Sequence, residues 1–199
     1  MSSGPSDDAE GEGGRMIWRH RRGTNAGSPP LDDFSATMLP HLDAAYTLAR
    51  YLARDAGIAD DIVQESFLRA KRNFAAYRGG ADKAWLMAIV RNCFFDWARA
   101  RQRAGHDETD PSDTVAIDDP EAIMARNGTI ATVQAAIEAL PPLFREAIIL
   151  REIEGMSYQE IAQATDTPIG TVMSRLSRAR LALAVILKAT PQAADMVTQ

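Results

Sequence analysis

The sequence predicts an all-α protein, built as two small helical domains joined by an acidic flexible linker. Apolar residues recur at three- and four-residue spacing through most of 34–103 and 121–189. No segment alternates as a half-buried strand would, and no internal repeat is visible. Between the two helical blocks, GHDETDPSDTVAIDDP (105–120) has no helical period and collects Asp, Pro and Ser. With 199 residues, 46% of them hydrophobic and 25% charged, the chain has ordinary globular composition and room for one large or two small helical units.

Residues 1–33 are expected to form a disordered extension, rich in Gly, Ser, Pro and charge around one basic island, MIWRHRR (16–22). The acidic start lacks the apolar core of a secretion signal. The first domain, 34–104, reads as helical with interruptions at Gly57 and Gly79-Gly80. In DDIVQESFLRAKR (60–72), Ile62, Val63, Phe67 and Ala70 share the inner face, and Asp61, Gln64, Glu65 and Leu68 the outer. A leucine projecting among carboxylates is a weak pointer to a protein partner. In the helix of about 82–103, Leu86, Ile89, Val90, Cys93, Trp97 and Ala100 form the inner stripe, which makes Cys93 a core thiol. Arg91, Asn92, Phe95 and Arg99 lie outside. An aromatic ring between arginines and an amide suits a single-strand platform, because charge tracks a backbone while the ring stacks on a base; equally, Phe95 can pack on a neighbouring helix.

The linker spans 105–128, and the second domain 129–189 is followed by a tail, 190–199. Here local punctuation is sharp. Ile130, Val133, Ile137 and Leu140 mark a helix ended by Pro141-Pro142, and a second helix, Leu143–Glu154, stops at Gly155. Ser157-x-x-Glu160 is a capping box opening a short third helix with Ile161 and Ala162 inward. After a turn at Thr165-Asp166, Thr167 is the expected cap of a last helix with Pro168 in its first turn. A short helix, a tight turn and a longer basic helix make a helix-turn-helix. On the last helix Ile169, Val172, Leu176, Ala179 and Leu183 share the core face. Thr171, Ser174, Arg175 and Arg178 lie roughly opposite, with Ser177 beside them. Small hydroxyls beside arginines let such a helix approach a major groove.

The net charge of −5 conceals opposed lobes. Residues 59–104 hold nine Lys/Arg against five acids, 105–135 hold seven acids and only Arg126, and 167–188 hold four cations and no acid. Two basic lobes separated by an acidic stretch can meet a polyanion although the whole chain is anionic. The lone cysteine excludes a disulfide framework and a cysteine-based zinc site. His20, His41 and His106 have no metal-ligand spacing, and neither a Ser/His/Asp set nor a phosphate-cradling glycine loop appears. The expectation is a cytoplasmic protein that is not an enzyme, with no catalytic residues, metal or cofactor, and no membrane partner.

Three runs, DDIVQESFLRAKR (60–72), KAWLMAIVRNCFFDWARARQR (83–103) and ALPPLFREAIILREIEGMSYQEIAQATDTPIGTVMSRLSRARLAL (139–183), resemble in order and spacing the extracytoplasmic-function (ECF, group IV) sigma factors of the sigma-70 family of bacterial RNA polymerase. The resemblance covers about residues 34–189 and its third run is highly specific. It implies that the chain is an alternative sigma factor that binds core polymerase, through the β′ clamp helices and the β flap, and directs promoter-specific initiation. Asp61, Gln64, Glu65 and Leu68 would then dock on the clamp helices. Arg91, Asn92, Phe95 and Arg99, with the loop Tyr77–Asp82, would melt the −10 element and hold a flipped base. The linker would thread toward the active-site cleft, its charge imitating a transcript. Thr171, Ser174, Arg175, Ser177 and Arg178 would read the −35 element. An anti-sigma factor is the further implied partner. Met173 departs from the family, which commonly has Lys or Arg there.

Two other classes compete. An ordinary helix-turn-helix regulator would leave the Asn92/Phe95 face and the 60–72 run without a task. A sigma mimic that only sequesters an anti-sigma factor usually lacks the basic recognition face, which is present here.

Overall fold

The computed structural model describes residues 31–104 and 129–189; the expectations for the N-terminal extension, the linker and the C-terminal tail lie outside these. Within the described residues all regular structure is helical: α1 (Leu31–Met38), α2 (Leu42–Ala53), α3 (Ala56–Asn73), α4 (Asp82–Arg103), α5 (Thr129–Glu138), α6 (Pro142–Ile148), α7 (Tyr158–Thr165) and α8 (Ile169–Ala189). Short 3-10 turns join α1 to α2 and close α3, and a π turn, Ile149–Ile153, continues α6.

In the N-terminal half, α2, α3 and α4 pack on one another. The break between α2 and α3 falls at Arg54, which takes the left-handed conformation (φ 60°) and closes α2 through its N–H to the Arg50 carbonyl. Asp55 then caps α3 by accepting from the Ile58 N–H at 2.9 Å. Gly57, expected at the break, instead lies in the first turn of α3. At Gly79 and Gly80 the expectation holds: both have positive φ (79° and 91°) and turn the chain into α4. Phe34, Phe67, Phe74, Tyr77 and Trp85 form an aromatic cluster at this end, mostly in edge contacts, with Phe74 stacked on Tyr77.

The helix α4 buries more than one stripe. Leu86, Val90 and Cys93 are in the core as expected, but so are Ala84, Met87, Ala88 and Phe94. The cause is that α4 is covered by α2 and α3 and also, from the C-terminal half, by α7. Ala100, expected inward, is exposed: 22 residues make a helix of about 33 Å, which outruns its shorter neighbours. Burial raises the pKa of the Cys93 thiol and so favours its neutral form.

In the C-terminal half, α8 packs across α6 and α7. Val172, Leu176 and Ala179 are buried and Leu183 is packed against the core. Ile169 is exposed, a departure from the expected core face: it is the first residue of α8, and the buried stripe begins one turn later. Val133 is likewise partly exposed, because α5 turns Ala136 and Ile137 inward. Both halves contribute to one continuous core.

The join between them is polar as well as apolar, and Arg145 is its centre. It is a buried side chain whose guanidinium donates to five main-chain carbonyls. Ile137 (3.3 Å), Glu138 (2.6 Å) and Leu140 (2.7 Å) lie at the end of α5, and Tyr51 (3.1 Å) and Leu52 (3.2 Å) at the end of α2. The last carbonyls of a helix have no partner within it and carry the negative end of its dipole, so a planar, five-donor cation fits there better than any other side chain. Desolvation lowers the Arg145 pKa to about 10, with the nearby charge of Arg54 acting in the same direction. Arg50 adds a link to Glu138 at 3.5 Å.

Arg145→Ala is therefore expected to cost at least about 3 kcal/mol, because several buried acceptors lose their donor together. Arg145→Lys should recover less than half, since a point-like ammonium cannot span two helix ends. Urea unfolding followed by tryptophan fluorescence and circular dichroism measures both.

Candidate polymerase and nucleic-acid interfaces

The helix-turn-helix is assembled by local signals that the sequence states openly. The π turn ends with the Glu154 N–H donating to the Ile149 carbonyl, and Gly155 (φ 66°) lets the Met156 N–H reach back to Leu150. Ser157 and Glu160 complete the capping box: the Ser157 hydroxyl accepts from the Glu160 N–H (3.2 Å), and the Glu160 carboxylate accepts from the Ser157 N–H (2.7 Å). This bonding holds the Glu160 carboxyl below its ordinary pKa. Asp166 ends α7 in the left-handed conformation (φ 49°). The Pro168 carbonyl accepts from Val172 as α8 begins, while the Thr167 hydroxyl, expected to cap α8, lies 2.8 Å from the Thr165 hydroxyl.

On α8 the residues expected to face outward divide. Ser177 and Arg178 are exposed, whereas Thr171, Ser174 and Arg175 are half-buried. The Ser174 hydroxyl donates to the Thr171 carbonyl (2.9 Å), and Arg175 acts electrostatically on Glu146 of α6. Met173, in the place of the family's common cation, is exposed. Arg180, which the sequence reading left out, pairs with Glu152 at 2.7 Å.

On α3, Asp61 and Gln64 are exposed, and Leu68 stands 48% exposed between turns of polar side chains. Glu65, from the same set, has a structural bond as well: it accepts from Arg69 Nε at 2.7 Å, and Arg69 reaches Asp96 of α4 at 2.7 Å. The hydrogen bond from Arg69, with its charge, lowers the Glu65 pKa. This bridge ties the outer face of α3 to α4.

On α4, Arg91, Asn92 and Phe95 are half-buried and Arg99 is exposed. Both readings of Phe95 find an observation: it packs against the core, and its ring carries the Arg91 guanidinium at 4.8 Å. Beside them a cleft of about 540 Å³ opens, lined by Asn73, Tyr77, Arg78, Trp85 and Asn92 and, from α7, Gln163. The Tyr77 hydroxyl donates to Asp82, so the loop that leads into α4 is pinned at both ends. Burial, then this bond, pushes the Tyr77 pKa up. Arg91 Nε lies 2.8 Å from Glu146 Oε1, an ion pair between α4 and α6. Among the described residues no group of His, Cys, Asp and Glu could hold a metal ion, and no helix is long and apolar enough to cross a membrane.

Residues 38–104 match the family Sigma-70 region 2, and residues 130–183 match Sigma-70, region 4. The chain is 37% identical over 161 residues to the ECF RNA polymerase sigma factor SigE of Mycolicibacterium smegmatis, which covers 79% of this chain and 62% of that protein. It is 37% identical over 140 residues to the RNA polymerase sigma-H factor of Pseudomonas aeruginosa, covering 65% of this chain and 72% of that one. Among solved structures, the sigma factor RpoE in complex with the anti-sigma factor NepR from Bartonella quintana superposes with a TM-score of 0.65 at 32% identity, over 79% of this chain and 98% of RpoE. CnrH in complex with the cytosolic domain of CnrY gives 0.59 at 26% identity, over 81% and 92%.

Loss of the capping box should loosen the start of α7. Ser157→Ala is expected to cost about 1 kcal/mol. The contribution of Glu160, whose folded pKa is depressed, is present above the ordinary glutamate pKa and lost as the pH falls through the folded value. The stability gap between wild type and Glu160→Ala, measured by thermal unfolding, should therefore narrow as the pH is lowered below the ordinary glutamate range.

Two sigma-70 regions in their expected order, on an all-helical fold shared with solved sigma factors, place this chain in the ECF family of RNA polymerase sigma factors, the alternative factors that direct transcription initiation.

Proposed function

We propose that the chain works as a promoter-specificity subunit in the cytoplasm, with no catalytic chemistry of its own. Asp61, Gln64 and Leu68 on α3, with Glu65, dock on the β′ clamp helices of core polymerase, and the C-terminal half meets the β flap. Arg91, Asn92, Phe95 and Arg99 engage the −10 element, the cleft beside Asn92 receiving an unstacked base. Thr171, Ser174, Arg175, Ser177 and Arg178 contact the −35 element. The observation that carries this reading is the presence on one chain of a helix-turn-helix opened by a complete capping box and of a cleft flanked by an amide, aromatic rings and arginines. A regulator that bound DNA by the helix-turn-helix alone would have no use for the second feature. The sigma factor RpoE is in complex with the anti-sigma factor NepR, and CnrH is in complex with the cytosolic domain of CnrY; an anti-sigma factor is proposed for this chain on the first of these. That partner would act on the sigma factor; a pure sequestering mimic is disfavoured by Ser177 and Arg178, exposed on α8.

Reconstitution with core RNA polymerase and sequencing of transcript starts tests the reading: a shared pair of elements upstream of the starts is expected, and random starts would refute it. Within that system, Leu68→Glu should weaken core binding with helicity unchanged, by more than about 1 kcal/mol if Leu68 is central to the docked patch. Asn92→Ala should slow open-complex formation and be rescued by a pre-melted template.

On α8 the two arginines should separate. Arg175→Ala is expected to cost about 1–3 kcal/mol and relax one or two −35 positions. Arg178→Ala should weaken all −35 variants alike and lower the salt slope by about one unit. Transcription from a panel of −35 variants at two salt concentrations distinguishes them.

A further inference from the structure

The outward side of α8 sorts its residues into three strips that run along the helix. At about 100° per residue, Gly170, Ser174 and Ser177 fall in the middle, away from the buried stripe of Val172, Leu176 and Ala179. A Cβ added at Gly170 would meet nothing within 4 Å, so no described part of the chain stands in front of it. Arg178, with half-buried Thr171 and Arg175, forms one edge. The other edge is apolar: Ile169 is 46% exposed and Met173, one turn on, 53%. Further along that edge, Arg180 is engaged by Glu152 at 2.7 Å.

A single exposed apolar side chain needs no explanation. Two of them, four residues apart on one edge, begin the second helix of a helix-turn-helix, and that end is the one that reaches base edges. Small residues in the middle strip let the helix enter a groove, and the absence of any acid from 167–188 suits the phosphates on either wall. The apolar group that a base pair presents in the major groove is the C5 methyl of thymine. Four residues of helix advance about 6 Å, which spans about two base pairs spaced about 3.4 Å apart.

We propose that Ile169 and Met173 form a thymine-reading edge: they pack on the C5 methyl groups of thymines at two neighbouring base pairs of the −35 element, while Arg178 holds the backbone. The inference rests on the −35 role proposed above and gives that element a base content the arginines do not supply, since Arg favours guanine. Burying one methyl group is worth about fourfold in affinity. The edge therefore separates thymine from uracil, which differs from it by that group alone.

The test uses the chain reconstituted with core polymerase on a promoter mapped from its own transcript starts. Deoxyuridine replaces each −35 thymine in turn, which removes the methyl and leaves the hydrogen-bonding groups of the base pair intact. Promoter binding is read by electrophoretic mobility at one salt concentration. Wild type should lose about fourfold at each of two neighbouring thymines and nothing at thymines outside the element. Met173→Ala should weaken binding of the unmodified promoter by a similar factor and ignore deoxyuridine at one of the two positions, and Ile169→Ala should do so at the other. Both side chains are exposed, so thermal unfolding should match wild type. Met173→Arg should exchange the preference for thymine at its position for guanine. A mapped −35 element without neighbouring thymines overturns the proposal, and so does a methyl dependence that both alanine variants retain. Weaker binding of Met173→Ala to core polymerase, in place of a methyl effect, assigns the edge to a protein contact and overturns it too. A scrambled −35 element separates the two readings. If wild type binds it as well as the mapped promoter, the −35 role itself fails; if affinity drops there but not with deoxyuridine, only the thymine edge fails.

Discussion

Five main-chain carbonyls converge on one guanidinium, that of Arg145, and the arrangement of both halves follows from that convergence. Helices ending inside a protein leave acceptors that water cannot reach. Here α2 and α5 end within reach of the same side chain, so a single cation satisfies both and fixes where they point. Three of the carbonyls belong to the C-terminal half and two to the N-terminal half. The first group ties α6 to the end of α5, and the second ties α6 to the end of α2. Arg145 thus serves as an internal strut whether or not the halves touch, and as a fastener only when they do.

The remaining links across the seam share this character. Arg50–Glu138, Lys83–Glu154 and Arg91–Glu146 each pair a cation of the N-terminal half with an anion of the C-terminal half. Ion pairs add less net stability than apolar packing, because desolvation offsets their attraction. They do set register, and they can be exchanged for other charged partners. A polyanion such as nucleic acid offers phosphates to the same Lys and Arg side chains.

Local signals in the sequence were sufficient wherever the chain is governed by its own neighbours. Gly155, the Ser157–Glu160 box, the glycine turn before α4, and the inner faces of α3 and, apart from Ile169, of α8 follow from spacing and residue type. What escaped the sequence depends on residues far away. Arg54 ends α2 in a conformation usually left to glycine, so the break was expected at Gly57 instead. Phe94 and Met87 are buried because α4 is covered by neighbours on more sides than its own periodicity assigns, α7 of the C-terminal half among them. Arg175 and Arg91 looked like free basic groups, and only the folded chain brings Glu146 to them. A buried carboxylate in Arg145-Glu146 reads in sequence as an ordinary charged pair on a helix surface. Its burial is visible only once two halves have met.

Cys93 carries a consequence of a different kind. It is the chain's single cysteine, sits in the core of the N-terminal half, and has its thiol held in the unreactive neutral form by burial. Oxidants attack thiolates that solvent can reach, and an intramolecular disulfide needs two sulfurs. Burial and the lack of a second cysteine in the sequence make Cys93 a poor target for peroxide and leave it no intramolecular disulfide partner.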